Sequence, residues 1–255
     1  MEVMMKRISS FPHASTLAGI VLLSVLVILV ATPHVVAQEA YPANSAVFGM
    51  TYGDWEAAYF QYVFSIPAGG PMLDASGADC NDAQPAGPVF FLNLIPDHAF
   101  FPAGFAGSYA IRTCTIPARA LFIPVAGWEC SSIQSYPSHG YNPQDMRKCA
   151  ATAVDGLDPK SLRLVVDGKN LSELVKERRV QSPYFDFTLP AMGSVLGDDF
   201  DGILAGSAVA DGYYVILKPL SPGRHVVQFG GAWLSGQSPI GLPGPFSVLY
   251  NLTVQ

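Results

Sequence analysis

The chain has 255 residues, of which 50% are hydrophobic and 13% are charged, and its formal net charge is −6. This length allows one large domain or two small ones, and the negative charge argues against nucleic-acid binding, which needs a basic surface. The basic residues between Lys176 and Arg179 are interleaved with Glu173 and Glu177, as on a solvated face.

The N-terminus has the layout of a secretory signal. Lys6 and Arg7 precede an apolar run over residues 17–31, and small residues lead up to a predicted cleavage after Ala37. We therefore expect residues 1–37 to be a cleaved signal peptide. The mature protein is then secreted or periplasmic.

An uncleaved membrane anchor is the alternative. The apolar run, extended to Val36, approaches the roughly 20 residues that span a bilayer, and the protein would then be tethered to the membrane by its N-terminus. No other segment is an unbroken apolar stretch of that length, so no membrane span is expected after cleavage. Without residues 1–37, 12 basic and 19 acidic side chains give a net charge of −7.

Residues 51–66 predict an amphipathic helix with one aromatic face. Trp55, Tyr59 and Tyr62 recur at spacings of three and four residues, as on one side of a helix. Thr51 or Asp54 can cap the first turn, and a Pro-Ala-Gly-Gly sequence ends the helix. The helical period favours packing in a core over an exposed platform for sugars.

A loop rich in Gly, Pro, Ala and Asp follows over residues 71–88, and three short apolar strands come next. These strands, Val89–Ile95, Tyr109–Ile116 and Ala120–Val125, indicate an antiparallel sheet. A loop over residues 127–141 and a helix over residues 143–154, capped by Asn142, complete this part.

After Asp155 the cysteines stop and strand follows strand, so we place a soft boundary between residues 38–155 and residues 156–255. Asp167-Gly168 and Pro222-Gly223 predict turns. The strands predicted here are Ser161–Val166, Tyr184–Leu189, Gly212–Lys218, His225–Phe229 and Phe246–Val254. The expected fold is mainly β: an antiparallel, immunoglobulin-like β-sandwich in the C-terminal half, preceded by an α+β part with one or two helices.

Four cysteines in a chain expected to be exported favour disulfides. Sequential pairing, Cys80 with Cys114 and Cys130 with Cys149, closes short local loops, although two other pairings are possible. Loop-closure entropy gives about 3–4 kcal/mol for each link. A zinc site is the rival interpretation, but no pair has the close C-x2–4-C spacing that structural zinc usually needs.

Four phrases in this order resemble a group of uncharacterised exported bacterial proteins. They are T-Y-G-D-W-E-A-A-Y-F-Q-Y from Thr51, G-P-V-F-F-L from Gly87, R-T-C-T-I-P from Arg112 and D-G-Y-Y-V-I-L-K-P-L-S-P-G-R-H from Asp211. The group is similar in having an aromatic N-terminal helix, paired cysteines and a C-terminal immunoglobulin-like β-sandwich. The resemblance implies export and architecture, and it implies no reaction type.

Three histidines lie outside the expected leader, and two of them belong to a candidate site. His98 follows a predicted strand, and Glu129 and His139 share a loop, so the three can converge at one sheet edge as a metal or acid–base site. Ordinary hydrogen bonding in loops is their alternative role. The third histidine, His225, enters a strand and is expected to have a cross-strand partner.

A second metal candidate is the acidic loop over residues 197–202. Asp198, Asp199 and Asp201 can offer oxygen ligands to Ca²⁺, although the loop lacks the ligand spacing and the closing Glu of an EF-hand. Asp and Gly also simply favour turns. The cofactor that the sequence suggests is thus a metal ion, calcium or a transition metal, and no G-x-S-x-G, P-loop or G-x-G-x-x-G motif adds another chemistry.

These observations favour a non-catalytic extracytoplasmic binding or structural module. Tyr52, Trp128, Tyr136 and Tyr141 are the candidate contacts with a cell-envelope carbohydrate or protein, because aromatic rings bind apolar faces and keep a polar tip. Closing the ends of the core is their alternative role.

The second hypothesis is a secreted enzyme. It would be a metal-assisted hydrolase or oxidase that uses His98, Glu129 and His139 on an extracellular polymer or a small molecule. Metal content separates the two hypotheses, because only the enzyme needs a bound ion at these residues.

Overall fold

A computed structural model describes residues 39–67, 70–72, 74–94, 108–239 and 245–255. The predicted signal peptide and the candidate His98 lie outside the described residues. Residues 37–255 form one compact unit. No helix within the described ranges combines the length and the apolar character needed to cross a bilayer.

The described residues form three α-helices and ten β-strands. The helices are α1 (Tyr52–Ser65), α2 (Pro143–Asp155) and α3 (Ser172–Lys176). The strands are β1 (Val89–Phe91), β2 (Ser108–Ile116), β3 (Ala120–Ser131), β4 (Arg163–Val166), β5 (Lys169–Asn170), β6 (Arg179–Gln181), β7 (Phe185–Thr188), β8 (Ala205–Leu217), β9 (Gly223–Ala232) and β10 (Pro245–Val254).

The ten strands make two five-stranded mixed sheets. The first sheet has the order β1-β3-β8-β6, and β7 pairs with another part of β8. The second sheet has the order β2-β10-β9-β4-β5. One pair in each sheet is parallel, β1 with β3 and β2 with β10, and the other pairs are antiparallel.

Strands from both sides of Asp155 contribute to both sheets. β3 lies beside β8 in the first sheet, and β2 lies beside β10 in the second. The mainly β prediction is confirmed. The antiparallel, immunoglobulin-like sandwich is not confirmed, because parallel neighbours need a long crossover between them and cannot come from successive hairpins.

The largest core lies between the two sheets. Apolar side chains from both sheets meet there, among them Leu121, Ile123 and Val215 of the first sheet and Val227, Phe229 and Val248 of the second. Burial of such side chains from water is the main force that holds the layers together.

α1 covers the other face of the first sheet. Thr51 caps the helix in a capping box with Asp54, as the sequence predicts for its start. Tyr59 stacks on Phe122 with ring centroids 5.4 Å apart, and Phe122 stacks on Tyr214 at 5.2 Å. The aromatic face of the helix is therefore part of a second core, as its period predicts.

Both predicted disulfides are present, and none of the four cysteines is free. Cys80 and Cys114 tie the loop before β1 to β2, with their Cα atoms 6.1 Å apart. Cys130 and Cys149 tie the end of β3 to α2, with their Cα atoms 6.0 Å apart. Sequential pairing is thus confirmed.

The segment predicted to be a solvated face, around residues 173–179, forms α3 and the start of β6. Arg178 is buried, and its guanidinium donates to the carbonyl oxygen of Tyr41 at 2.7 Å and to the Tyr52 hydroxyl at 3.1 Å. The solvated-face prediction is wrong for Arg178, because these acceptors come from distant parts of the chain.

Candidate functional site

Residues 132–142 join β3 to α2, and we call this segment the β3–α2 loop. It contains Ser, Tyr, Gln, Asn, Gly, Pro, Ile and His, and it has no Asp, Glu, Lys or Arg. The disulfide between Cys130 and Cys149 links the residues on either side of it. The loop is therefore uncharged, apart from any proton on its histidine, and closed at its base by a covalent bond.

Two tyrosines of this loop are almost fully exposed. Tyr136 has 93% of its surface in contact with solvent and Tyr141 has 88%, more than any other exposed large hydrophobic residue in the described ranges. Apolar ring faces in water are the part of a protein surface that gains most from covering. These two rings are therefore available to a ligand.

Backbone hydrogen bonds fix the path of the loop. The Ser131 amide donates to the Ser138 carbonyl oxygen at 2.9 Å, and the Gly140 amide donates back to the Ser131 carbonyl oxygen at 3.0 Å. The Ser138 amide also donates to the Ser135 carbonyl oxygen at 2.9 Å, which closes a turn with Tyr136 in it. The returning half of the loop is thus paired with the end of β3.

Side chains of neighbouring residues support the loop from below. Trp128 is half-buried, donates from its indole nitrogen to the Ser138 hydroxyl at 3.2 Å and packs edge-on against Trp233. Ser131 donates from its hydroxyl to the Gln134 side-chain oxygen at 2.7 Å. These contacts leave the loop little freedom to rearrange.

Glu129 lies beneath the loop and contacts it through Gln134. The Glu129 side chain is on β3, opposite Ala210 of β8, and the residue is only 5% exposed. Burial raises the pKa of this carboxyl group to about 8, and a hydrogen bond with the Gln134 side chain opposes the shift. At neutral pH the carboxyl group is therefore mostly protonated and uncharged.

The environment of His139 determines which ring nitrogen carries a proton. Its Nδ1 lies 2.7 Å from the carbonyl oxygen of Gln134, which can only accept a hydrogen bond. Nδ1 must donate, so in the neutral ring Nε2 is a hydrogen-bond acceptor. The same ring meets Tyr141 edge to face, with centroids 4.5 Å apart. The loop therefore presents an acceptor beside an exposed aromatic ring.

The predicted site residues are only partly brought together. Glu129 and His139 both contact Gln134, and Tyr136 and Tyr141 lie on the same loop as His139. The sequence analysis did not single out Gln134, although this residue lies between Glu129 and His139 in the loop predicted over residues 127–141.

Tyr52 is a core residue and has no access to a ligand. It is 2% exposed, and its hydroxyl donates to the Tyr41 carbonyl oxygen at 2.7 Å. The same hydroxyl accepts from Arg178 at 3.1 Å and from the Ile216 amide at 3.2 Å. Its hydrogen bonds hold the start of α1 against β8, which is the core-closing role that the sequence offered as the alternative.

The acidic residues 198–201 form a turn of their own and do not converge on a common point. Asp198–Phe200 form a 3-10 helix, and Asp201 accepts a hydrogen bond from the Gly193 amide at 2.8 Å. Asp198 and Asp199 are exposed. Within the ranges that the structure describes, no three His, Cys, Asp or Glu side chains are placed to hold a metal ion, here or around His139.

A second group of buried ionisable residues escaped the sequence reasoning. Glu56 of α1 is fully buried near the Tyr214 hydroxyl, and burial raises the pKa of both groups well above their ordinary values. Glu56 precedes Tyr59 by three residues and Val63 by seven, a spacing that places it on the buried face of the helix.

Comparison with protein-family models, with curated proteins and with solved structures finds no match for this chain. Because a fold alone does not define a function, the function is inferred from the residues of the β3–α2 loop and their surroundings.

Proposed function

We propose that this chain is an exported, non-catalytic binding module that contacts its ligand with the β3–α2 loop. The observation that carries the proposal is the pair Tyr136 and Tyr141, 93% and 88% exposed on one loop. The proposed ligand is a component of the cell envelope, a carbohydrate or a protein.

The composition and the support of the loop favour recognition. Tyr, Ser, Gly and Asn are the residues that binding loops use most, since a tyrosine offers a large contact area for few rotatable bonds. The Cys130–Cys149 link and the hydrogen bonds to Ser131 hold the backbone in place before a ligand arrives. A loop that is already ordered loses less entropy on binding.

The two disulfides support a location outside the cytoplasm. Disulfides form and persist in oxidising compartments and are rare where glutathione keeps thiols reduced. The signal-like N-terminus and the resemblance to exported bacterial proteins with paired cysteines point the same way. The proposed location is therefore extracellular or periplasmic.

Capture from cell-envelope fractions tests the proposal. The exported protein, immobilised, is expected to enrich a polymer or protein, and the double variant Tyr136→Ala/Tyr141→Ala is expected to lose that enrichment. Tyr109→Ala is the matched control, because Tyr109 is 58% exposed on β2, in the other sheet. Equal recovery by the wild-type protein and the double variant would overturn the proposal.

A metal-assisted hydrolase or oxidase is the second candidate function. One observation favours it: a carboxyl group with a raised pKa, Glu129, shares Gln134 with His139. Such a carboxyl is a usual feature of acid–base sites. Protein purified without chelators should then carry a stoichiometric transition metal that His139→Ala loses, and metal-free wild-type protein would eliminate this candidate.

A further inference from the structure

We infer that the ligand of the β3–α2 loop is an uncharged saccharide. The inference rests on the proposed function, since it names the chemical class of the ligand for the same loop. Four properties of the loop carry it: its lack of charge, its size, its exposed rings and the acceptor on His139.

The loop offers no counter-charge to an ionic ligand. It has no acidic or basic side chain, and the next charged residue along the chain, Asp145, accepts a hydrogen bond from Asn142 at 2.8 Å. Arg147 and Lys148 are exposed on the following turn of α2, outside the loop, and Arg147 donates to the Gln181 side chain at 2.7 Å. A phosphate, sulfate or carboxylate ligand would normally be met by free Arg or Lys side chains.

The size of the loop favours a narrow ligand. A stable protein–protein interface uses roughly 20–30 residues on each side. The loop consists of residues 132–142 only. Among the other exposed large hydrophobic residues, Tyr109, Ile111 and Val226 lie on strands of the second sheet, and Tyr184 and Leu204 directly precede β7 and β8 of the first. A chain of sugar rings needs less area than a folded partner.

The exposed rings suit the apolar faces of sugars. A hexose ring has C–H groups on its faces and hydroxyl groups around its edge, so a flat aromatic ring can cover one face while the hydroxyl groups stay in water. Tyr136 and Tyr141 provide two such rings, each with a hydroxyl group at its tip.

His139 supplies the polar contact. Its Nδ1 donates to Gln134, so Nε2 is left as an acceptor, and no hydrogen bond to Nε2 forms within the described residues. A sugar hydroxyl can donate to it while the ring of the same sugar lies on Tyr141, 4.5 Å from the histidine ring. A polar contact placed beside a stacking ring fixes the orientation of the sugar.

Titration of the full exported protein with neutral hexasaccharides tests the inference. The probes are cellohexaose, maltohexaose, xylohexaose, mannohexaose and N-acetylated chitohexaose, with hexagalacturonate as the charged counterpart, and the readout is backbone amide shifts in NMR spectra. We expect at least one neutral probe to shift resonances of residues 132–142 and to bind at least tenfold more tightly than hexagalacturonate.

Single variants test the contribution of each tyrosine and of His139 to binding. Tyr141→Ala and Tyr136→Ala should each weaken the neutral probe at least tenfold, and Tyr109→Ala should leave it unchanged. His139→Phe keeps a ring but removes the acceptor and should also weaken binding about tenfold, whereas His139→Gln keeps an acceptor and should retain most of it.

The outcomes separate this inference from the proposed function. Tyrosine-dependent capture of an envelope protein, with no response to any neutral hexasaccharide, would overturn the inference and leave the binding module standing. Tighter binding of hexagalacturonate would also overturn it. If the wild-type protein neither captured an envelope component nor responded to any saccharide, both the inference and the proposed function would be overturned.

Discussion

Glu129 illustrates how burial alone can change the state of a residue. Within the described ranges, no positively charged side chain pairs with it, and one of its oxygens has no hydrogen-bond partner. An isolated charge in such a place would be costly, so the group keeps its proton and its pKa rises to about 8. An uncharged carboxyl group therefore lies buried beneath the β3–α2 loop, close to the Gln134 side chain.

Glu129→Gln should flatten the dependence of stability on pH. The folded-state pKa lies above the unfolded value, so the stability that Glu129 contributes is fully present below about pH 4.5 and is lost as the pH rises through about 8. Over that window the wild-type protein loses about 1.4 kcal/mol per pH unit through this group. Urea unfolding at pH 5, 6, 7 and 8 measures the slope.

Glu173→Gln is the matched control, because Glu173 is exposed on α3, and it should leave the slope unchanged. Identical slopes for the wild-type protein and Glu129→Gln would show that Glu129 titrates normally in the folded chain.

Arg179→Ala should destabilise the protein by about 2–4 kcal/mol. Arg179 donates to both carboxylate oxygens of Asp211, at 2.8 and 3.3 Å, and Asp211 is only 4% exposed. Removing the arginine leaves a buried carboxylate with Gln181 as its remaining side-chain donor among the described residues. The free energy of unfolding in urea measures the loss.

Two controls bracket the Arg179 prediction. Asp155→Ala removes the exposed partner of the same arginine and should cost less than about 1 kcal/mol, and Arg163→Ala removes an exposed arginine of β4. A loss for Arg179→Ala no larger than for these two would mean that Asp211 needs no partner.

At the scale of elements, the helices were the easiest part to predict. α1 and α2 have a 3.6-residue period and side-chain caps, Thr51 and Asn142, and both begin at the predicted position within one residue. These signals are local, so they can be read without knowledge of the rest of the chain. β2, β9 and β10 were also found, because apolar runs bounded by Gly or Pro are local signals too.

β3 was predicted too short for a tertiary reason. Pro124 and Gly127 look like the end of a strand, yet β3 continues to Ser131 through a bulge between Pro124 and Ala126. Gly127 pairs with Gly212, and a side chain at either position would collide with the Tyr214 hydroxyl. Glycine is there to make room for a tyrosine that lies far along the chain, which a local pattern cannot reveal.

Only the part of the candidate site that depends on local sequence could be predicted. Exposed Tyr136 and Tyr141 come from a local loop, and the sequence named both. The burial of Glu129 and Tyr52 depends on β8, which is distant in sequence, so the sequence does not predict the raised pKa of Glu129 and offers the core position of Tyr52 only as the alternative interpretation.

The two disulfides should differ in their effect on the β3–α2 loop. Replacing either pair of cysteines by serine should cost about 3–4 kcal/mol, because the loop-closure entropy depends only on the logarithm of the sequence separation, which is 34 for one link and 19 for the other. Only Cys130→Ser/Cys149→Ser should speed amide hydrogen exchange in residues 132–142, and Cys80→Ser/Cys114→Ser is the control. If hydrogen exchange in residues 132–142 were unchanged in Cys130→Ser/Cys149→Ser, the hydrogen bonds of the loop alone would be enough to keep it ordered.

At the scale of the whole molecule, both sheets are built from both halves of the chain. β8 needs β3, and β10 needs β2, so the residues after Asp155 lack a neighbour strand in each sheet when they are alone. The boundary predicted after Asp155 rests on a change in the composition of the sequence. In the strand order, strands from both sides of Asp155 are neighbours in each sheet.

Residues 156–255, produced alone, should fail to fold. In this fragment β8 loses β3 and the core between the sheets loses Leu121 and Ile123. Near-ultraviolet circular dichroism and the dispersion of amide resonances should resemble those of an unfolded chain, with residues 38–255 as the folded control. A well-dispersed spectrum from the fragment would establish the predicted boundary as a true domain boundary.

The position of β10 between β2 and β9 sets an order of events during synthesis. β2 is translated early and finds its long parallel neighbour only when β10 has been made, after all the other described strands. Until β10 has been made, β2 therefore has no neighbour in its sheet, and this layer cannot be completed. The layer that contains β2 therefore closes only at the end of synthesis, and the core between the two sheets cannot form before then.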